Sequence, residues 1–128
     1  ALWYRDALAL DAIDYMHYDL GWIGGISEAI KISGIAHANN RMMCPHDCTG
    51  PIVWIANLHI SLAFSNSMIL ESVRSYYNGF YKKLVNNLPK IEKGFAFPMD
   101  GIGLGTELQD SLLKSPNTII RKTSKNDL

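Results

Sequence analysis

Short apolar runs that suit strands alternate in this chain with longer runs of helical periodicity. That alternation limits the fold more than any other feature. Leu2 to Leu10 reads as the end of a helix, with Leu2, Arg5, Asp6 and Ala9 at helical spacing. Ala12 to Tyr18 reads as a strand ending at Asp19, and a loop with Gly21, Gly24 and Gly25 follows. Ser27 is the expected N-cap of the next helix, with Glu28 at its positive end. Ala29, Ile32 and Ala36 share one face of that helix, and Asn39-Asn40 ends it. Arg41 to Pro45 predicts a second strand, with His46 just past its end. Pro51 suits the first turn of a third helix, because its fixed φ fits there and its missing N–H is not needed. That helix is expected to reach about Phe64, with Val53, Ala56, Ile60 and Phe64 as an apolar stripe widened by Ile52, Ile55 and Leu62. Met68-Ile69-Leu70 predicts a third strand, with Glu71 at its C-terminal end. The order is the βαβ alternation of a parallel α/β sheet.

Three polar residues therefore recur at one place. Asp19 and His46 lie 27 positions apart, and Glu71 follows 25 positions later, each at a strand end. In parallel α/β folds that edge carries the site. The middle position is also the most crowded. Met43 to Pro51 holds His46, Asp47, Cys44, Cys48, two prolines and a glycine in nine residues.

Beyond Glu71 the pattern changes. Tyr76 to Tyr81 is aromatic-rich and reads as short helix and turn. Leu88 to Pro98 reads as extended chain or a hairpin, and Gly101 to Gly105 as a flexible loop. Thr106 to Leu113 reads as a short helix with Thr106 and Gln109 spaced like a capping box. The end, from Ser115, is expected to be extended and partly mobile. Residues 1–75 thus form the βα units and 76–128 a C-terminal extension.

Composition narrows the function classes. A chain of 128 residues is one domain at most. Twelve Lys and Arg balance twelve Asp and Glu, so no basic field offers itself to nucleic acid or an anionic membrane. The one bias is a mild basic tail, Arg121, Lys122 and Lys125, expected to be solvated. No run is long and apolar enough for a membrane span. Two cysteines are too few for a secreted disulfide scaffold, so a reducing cytoplasm is the expected compartment. The chain has no initiator Met and starts inside an apparent helix, which suggests a fragment of a larger protein.

Asp19 and His46 are the first candidates for chemistry. On adjacent parallel strands their side chains can meet, and a carboxylate bonded to one imidazole nitrogen fixes the tautomer and leaves the other to take a proton. The plainer alternative has Asp19 capping a loop and His46 satisfied in a turn. Glu71 could face the same cavity and, if protonated, donate to a developing enolate oxygen; the alternative is a surface ion pair with Arg74. Cys44, His46 and Cys48 invite a zinc reading, but structural zinc wants four ligands and no second pair exists, so packing and turn roles are expected for the thiols. His17, His37 and His59 read as ordinary helix and strand residues. Gly101-x-Gly103-x-Gly105 lacks the strand, βαβ unit and distal acid of a dinucleotide loop. Trp3, Trp22 and Trp54 are expected to pack.

The segments Asp19-Leu20-Gly21-Trp22-Ile23-Gly24-Gly25-Ile26-Ser27-Glu28-Ala29, Pro45-His46-Asp47-Cys48-Thr49-Gly50-Pro51 and Leu70-Glu71-Ser72-Val73-Arg74 resemble the C-terminal part of the mandelate racemase and muconate lactonizing branch of the enolase superfamily. The acid-sugar dehydratases of the galactonate dehydratase type are the nearest group, and Leu88-Pro89 with Gly101 to Leu108 fits them too. The resemblance implies about strands six to eight of a modified TIM (β/α) barrel, with a tail that packs toward a capping domain. It implies that His46 is the base, Asp19 its dyad partner and Glu71 the acid that hydrogen-bonds the enediolate. It implies Mg²⁺ held by acids on the third to fifth strands, which are absent from this sequence along with the capping domain. The implied activity of the intact parent is that of a Mg²⁺-dependent aldonate dehydratase, a hydro-lyase giving a 2-keto-3-deoxy acid. A racemase or epimerase of a 2-hydroxy acid and a non-catalytic truncated fragment are the alternatives, with a zinc-binding module behind them. The expected partners are an acid-sugar substrate and, when intact, further copies of the same chain, with neither nucleic acid nor membrane. The 128-residue piece alone is expected to be inactive.

Overall fold

A computed structural model describes residues 1–124, so Lys125 of the basic tail lies outside the described residues. The order is α1 (Leu2–Ala9), β1 (Tyr15–Asp19), α2 (Ile26–Ala38), β2 (Met42–His46), α3 (Pro51–Ala63), α4 (Arg74–Asn78), a 3-10 turn (Phe80–Lys83), β3 (Ile91–Glu92), β4 (Phe95–Ala96) and α5 (Asp110–Leu113).

β1 and β2 run parallel, with Tyr15 opposite Met42 and Asp19 opposite His46. Their alternation sorts the side chains. Met16 and Tyr18, with Met43, turn toward the helices and are buried with Ala29, Ile32 and Ala36 of α2 and Ala56 and Ile60 of α3. Each large apolar side chain buried here contributes about 1.5–3 kcal/mol. The Tyr18 hydroxyl finds Ser33 Oγ at 2.9 Å, so the one polar tip in this layer has a partner. His17 and Cys44 lie opposite each other in the register and, with Asp19 and His46, occupy the other set of alternating positions.

A second apolar cluster sits on the far side of α3, where Trp54, Ile55 and Tyr81 are buried together. Trp54 stacks on Tyr77 with ring centroids 5.1 Å apart. α3 is thus apolar on two faces, one toward the sheet and one toward the C-terminal extension. Ile52 and Leu62, expected to widen its stripe, are exposed.

Several sequence expectations shift. Helix α2 starts at Ile26, so Gly25 takes the N-cap place and Ser27 lies inside the helix. Gly25 adopts φ 86°, a conformation glycine reaches without strain. His46 is the last residue of β2, not the one after it. Met68-Ile69-Leu70 is not a regular strand. The segment still continues the sheet: Met43 N donates to Asn66 O, Met68 N to Met43 O and Glu71 N to Pro45 O, at 2.9–3.0 Å. The hairpin forms as β3 and β4 around Lys93 and Gly94, both at positive φ. The capping box does not form. Thr106 Oγ1 donates to Asn87 O, and Gln109 Nε2 donates to Lys82 O and Val85 O. Both side chains stitch the tail to the preceding loop, and α5 is reduced to four residues. Trp54 packs as expected, but Trp3 and Trp22 are 73% and 75% exposed. Among the described residues no helix is long and apolar enough to cross a membrane.

Candidate active site

The two parallel strands end side by side on Asp19 and His46. Asp19 Oδ2 meets His46 Nδ1 at 3.1 Å. The acid side chain is 3% exposed and the imidazole 23%, so the carboxylate is sheltered while the ring keeps access to its surroundings. Asp19 Oδ1 accepts from Gly21 N at 2.8 Å. Asp19 therefore caps the loop with one oxygen and meets the imidazole with the other. Gly21 suits that approach: a Cβ there would crowd Asp19 Oδ1 at 3.2 Å and touch Thr49 Oγ1 at 3.4 Å. Asn57, buried on α3, donates from Nδ2 to His46 O at 2.8 Å and ties the strand end to the helix behind it.

Asp47 holds the turn beyond His46. It is fully buried. Oδ1 accepts from Thr49 N and Gly50 N, each at 3.3 Å, and Oδ2 from the Tyr81 hydroxyl at 3.0 Å. Burial pushes the carboxyl above its ordinary range against those hydrogen bonds. The Tyr81 phenol is pushed up too, by burial first and then by Asp47.

Glu71 does not pair with Arg74. Its Oε2 meets His17 Nε2 at 2.7 Å. The His17 ring in turn packs edge-on against His46, with centroids 5.3 Å apart. The polar edge is thus a chain of contacts, Glu71 to His17 to His46 to Asp19. His17 was missed in the sequence because its partner lies 54 positions away. Its place two residues before Asp19 on the same strand was the available signal.

The two thiols separate. Cys44 is partly buried in β2 and Cys48 is exposed in the turn. Among the described residues one group brings three ligating side chains together: Asp19, His46 and Cys48, with donor atoms within 4.8 Å of one another. Mg²⁺ demands octahedral oxygen ligation. A set of one carboxylate, one imidazole and one thiol does not fit that ion, so these residues provide no Mg²⁺ site.

Fold and site together define a class: a segment of a parallel βα fold whose strand ends carry a buried carboxylate bonded to an imidazole. Comparison gives that class its family. The family model for the enolase C-terminal domain-like group matches residues 3–112. The chain belongs to this family and is part of the modified TIM barrel of the mandelate racemase and muconate lactonizing enzymes. It is 31% identical over 103 residues to an arabinonate dehydratase of Saccharolobus solfataricus, covering 80% of this chain and 27% of that protein. It is 31% identical over 115 residues to a D-galactonate dehydratase of Verminephrobacter eiseniae, covering 86% and 30%. A solved enolase protein from Sargasso Sea environmental sequence superposes with TM-score 0.86 at 36% identity, over 95% of this chain and 32% of that one. An enolase of the mandelate racemase subgroup from Agrobacterium tumefaciens gives 0.81 at 40%, over 86% and 30%. The chain spans about 30% of the length of the curated relatives it matches. Members of the superfamily generally use Mg²⁺.

Proposed function

We propose that this chain supplies the proton-abstracting part of a sugar-acid dehydratase. The observation that carries the reading is the Asp19–His46 hydrogen bond at adjacent parallel strand ends, in a chain similar to two proteins named as aldonate dehydratases. Asp19 holds Nδ1 and leaves Nε2 to accept the proton from C2 of an aldonate. The C2–H pair enters the enediolate. Its collapse breaks the bond from C3 to its hydroxyl, which leaves as water with a proton that balances the one His46 took up, so the elimination neither gains nor loses a proton overall. The enol that results tautomerises to a 2-keto-3-deoxy acid. Glu71, held by His17 on the same edge, hydrogen-bonds the enediolate oxygen. The parent's Mg²⁺ is held by residues outside this chain, since those present do not suit it, and the parent assembles from several copies.

The test uses the full-length parent. His46→Asn is expected to abolish exchange of the substrate α-proton with solvent, a loss of roughly 10²–10⁴-fold or more for removal of a general base. Retained exchange removes His46 from that role. Formation of a 2-keto-3-deoxy acid from an aldonate separates dehydration from racemisation, which returns an epimer with all its hydroxyls.

A further inference from the structure

We propose that Asp19, His46 and Cys48 form a binding site for a thiophilic divalent cation of the zinc class, and that occupancy of this site takes the dyad out of service. Three observations carry it. The first is convergence: a carboxylate, an imidazole and a thiol from two strand ends and one turn bring donor atoms within 4.8 Å of one another. Carboxylate oxygen, imidazole nitrogen and thiolate sulfur all bind zinc, and three protein ligands leave a fourth position open. The second is spacing. Ligands about 2.0–2.3 Å from a tetrahedral ion lie roughly 3.3–3.8 Å apart. Asp19 Oδ2 and His46 Nδ1 already stand 3.1 Å apart. An ion bound to both replaces the proton they share and sits off the line between them, so the imidazole turns to aim Nδ1 at it while the buried carboxylate stays in place. Cys48, exposed in the turn, completes the set.

The third observation is access. Cys48 is exposed in the turn while Asp19 is sheltered beside it, so an ion reaches the site from solvent with the thiol at its mouth, and a bound metal deprotonates a coordinating thiol outright. Cys44 is excluded from the cluster, although it lies two residues before His46 and shares its strand. Bond formation is balanced: the cation gains one bond each from oxygen, nitrogen and sulfur, and releases the thiol proton and the shared dyad proton to solvent.

Binding does not depend on the dehydratase reading, whereas its effect on turnover rests on it. The first measurement is therefore spectroscopic. The full-length parent, with Mg²⁺ present, is titrated with Co²⁺ or Cd²⁺ as reporters for Zn²⁺, and the thiolate-to-metal charge-transfer absorption is followed, each sample being checked for its far-ultraviolet helical signal. One equivalent is expected to produce the band in the wild type and in Cys44→Ser. Cys48→Ser, an exposed substitution that leaves the helical signal unchanged, is expected to lose the band. Its Zn²⁺ affinity should fall by more than the roughly 10–100-fold that loss of an outer hydrogen-bond partner of a metal ligand costs. A band that survives in Cys48→Ser, or that disappears in Cys44→Ser, overturns the assignment. So does a folded wild type that gives no band. In the full-length parent, micromolar Zn²⁺ is then expected to suppress α-proton exchange in the wild type and far less in Cys48→Ser. Metal binding without that suppression leaves the site in place and counts against His46 as the base.

Discussion

Asp19 divides its two oxygens between a backbone N–H and an imidazole, so a substitution there separates architecture from chemistry. Asp19→Asn keeps an acceptor for Gly21 N but removes the charge facing Nδ1. In the parent it is expected to lower kcat by roughly 10²-fold or more with KM little changed, read from initial rates on an aldonate. Asp47 gives a pH signature. Its carboxyl titrates higher in the folded chain than in the unfolded one, so the folded state holds the extra proton. The penalty is absent below the ordinary carboxylate range and sets in as pH rises from about 3.9 toward the raised value. Wild-type stability relative to Asp47→Asn is therefore expected to fall over that interval in denaturant titrations, and a flat difference would contradict it. Asp19 and His46 were legible because strand ends can be counted in sequence. The contacts of His17 and Asp47 were not, and the sequence offers Cys48 only together with Cys44, as a zinc pair. Their partners are set by which way a strand side chain or a turn points, and Tyr81 reaches Asp47 across 34 positions.

At the scale of elements, α3 joins the two clusters. Its sheet-facing side carries Ala56 and Ile60, and its other side Trp54 and Ile55. Truncating Ile55 to Ala is expected to cost about 2–5 kcal/mol, as for other fully buried aliphatic side chains, and to be visible as a lower denaturation midpoint with an unchanged slope. The same cut at exposed Leu62 should be within about 0.5 kcal/mol of neutral. Helices α1, α2 and α3 were readable because their periodicity is long and bounded, by Asn39-Asn40 for α2 and by Pro51 for α3. The third strand was harder. Its backbone meets β2 through a few spaced hydrogen bonds and one isolated bridge, Met43 with Ser67, too sparse a ladder for a regular strand. The tail misled for another reason. Thr106 and Gln109 carry the letters of a helix cap, but the carbonyls of Asn87, Lys82 and Val85 compete for them and win.

For the molecule as a whole, among the described residues β1 pairs as a strand with β2 alone, and the segment from Ser67 lies along the other side of β2. Neither outer edge carries a further strand among the described residues, and such edges are a template for further strands. The residues on the sheet face away from the helices include exposed Tyr15, Met42 and Ile69. In the parent barrel that face and those edges would be enclosed. The 128-residue chain by itself is accordingly expected to show no aldonate turnover with Mg²⁺ present, and product formation by the purified chain would refute this. It is also expected to self-associate as concentration rises, read as growing apparent mass in sedimentation. The bond from Tyr81 to Asp47 has a further consequence in time. During synthesis the turn that carries His46 emerges from the ribosome well before Tyr81 does. Until then the Asp47 carboxylate has no phenol to meet and no aromatic cover, so the turn beside the dyad reaches its final shape only after the segment behind it has been made. A stalled nascent chain ending before Tyr81 would hold Asp19 and His46 in the right order around an unfinished turn.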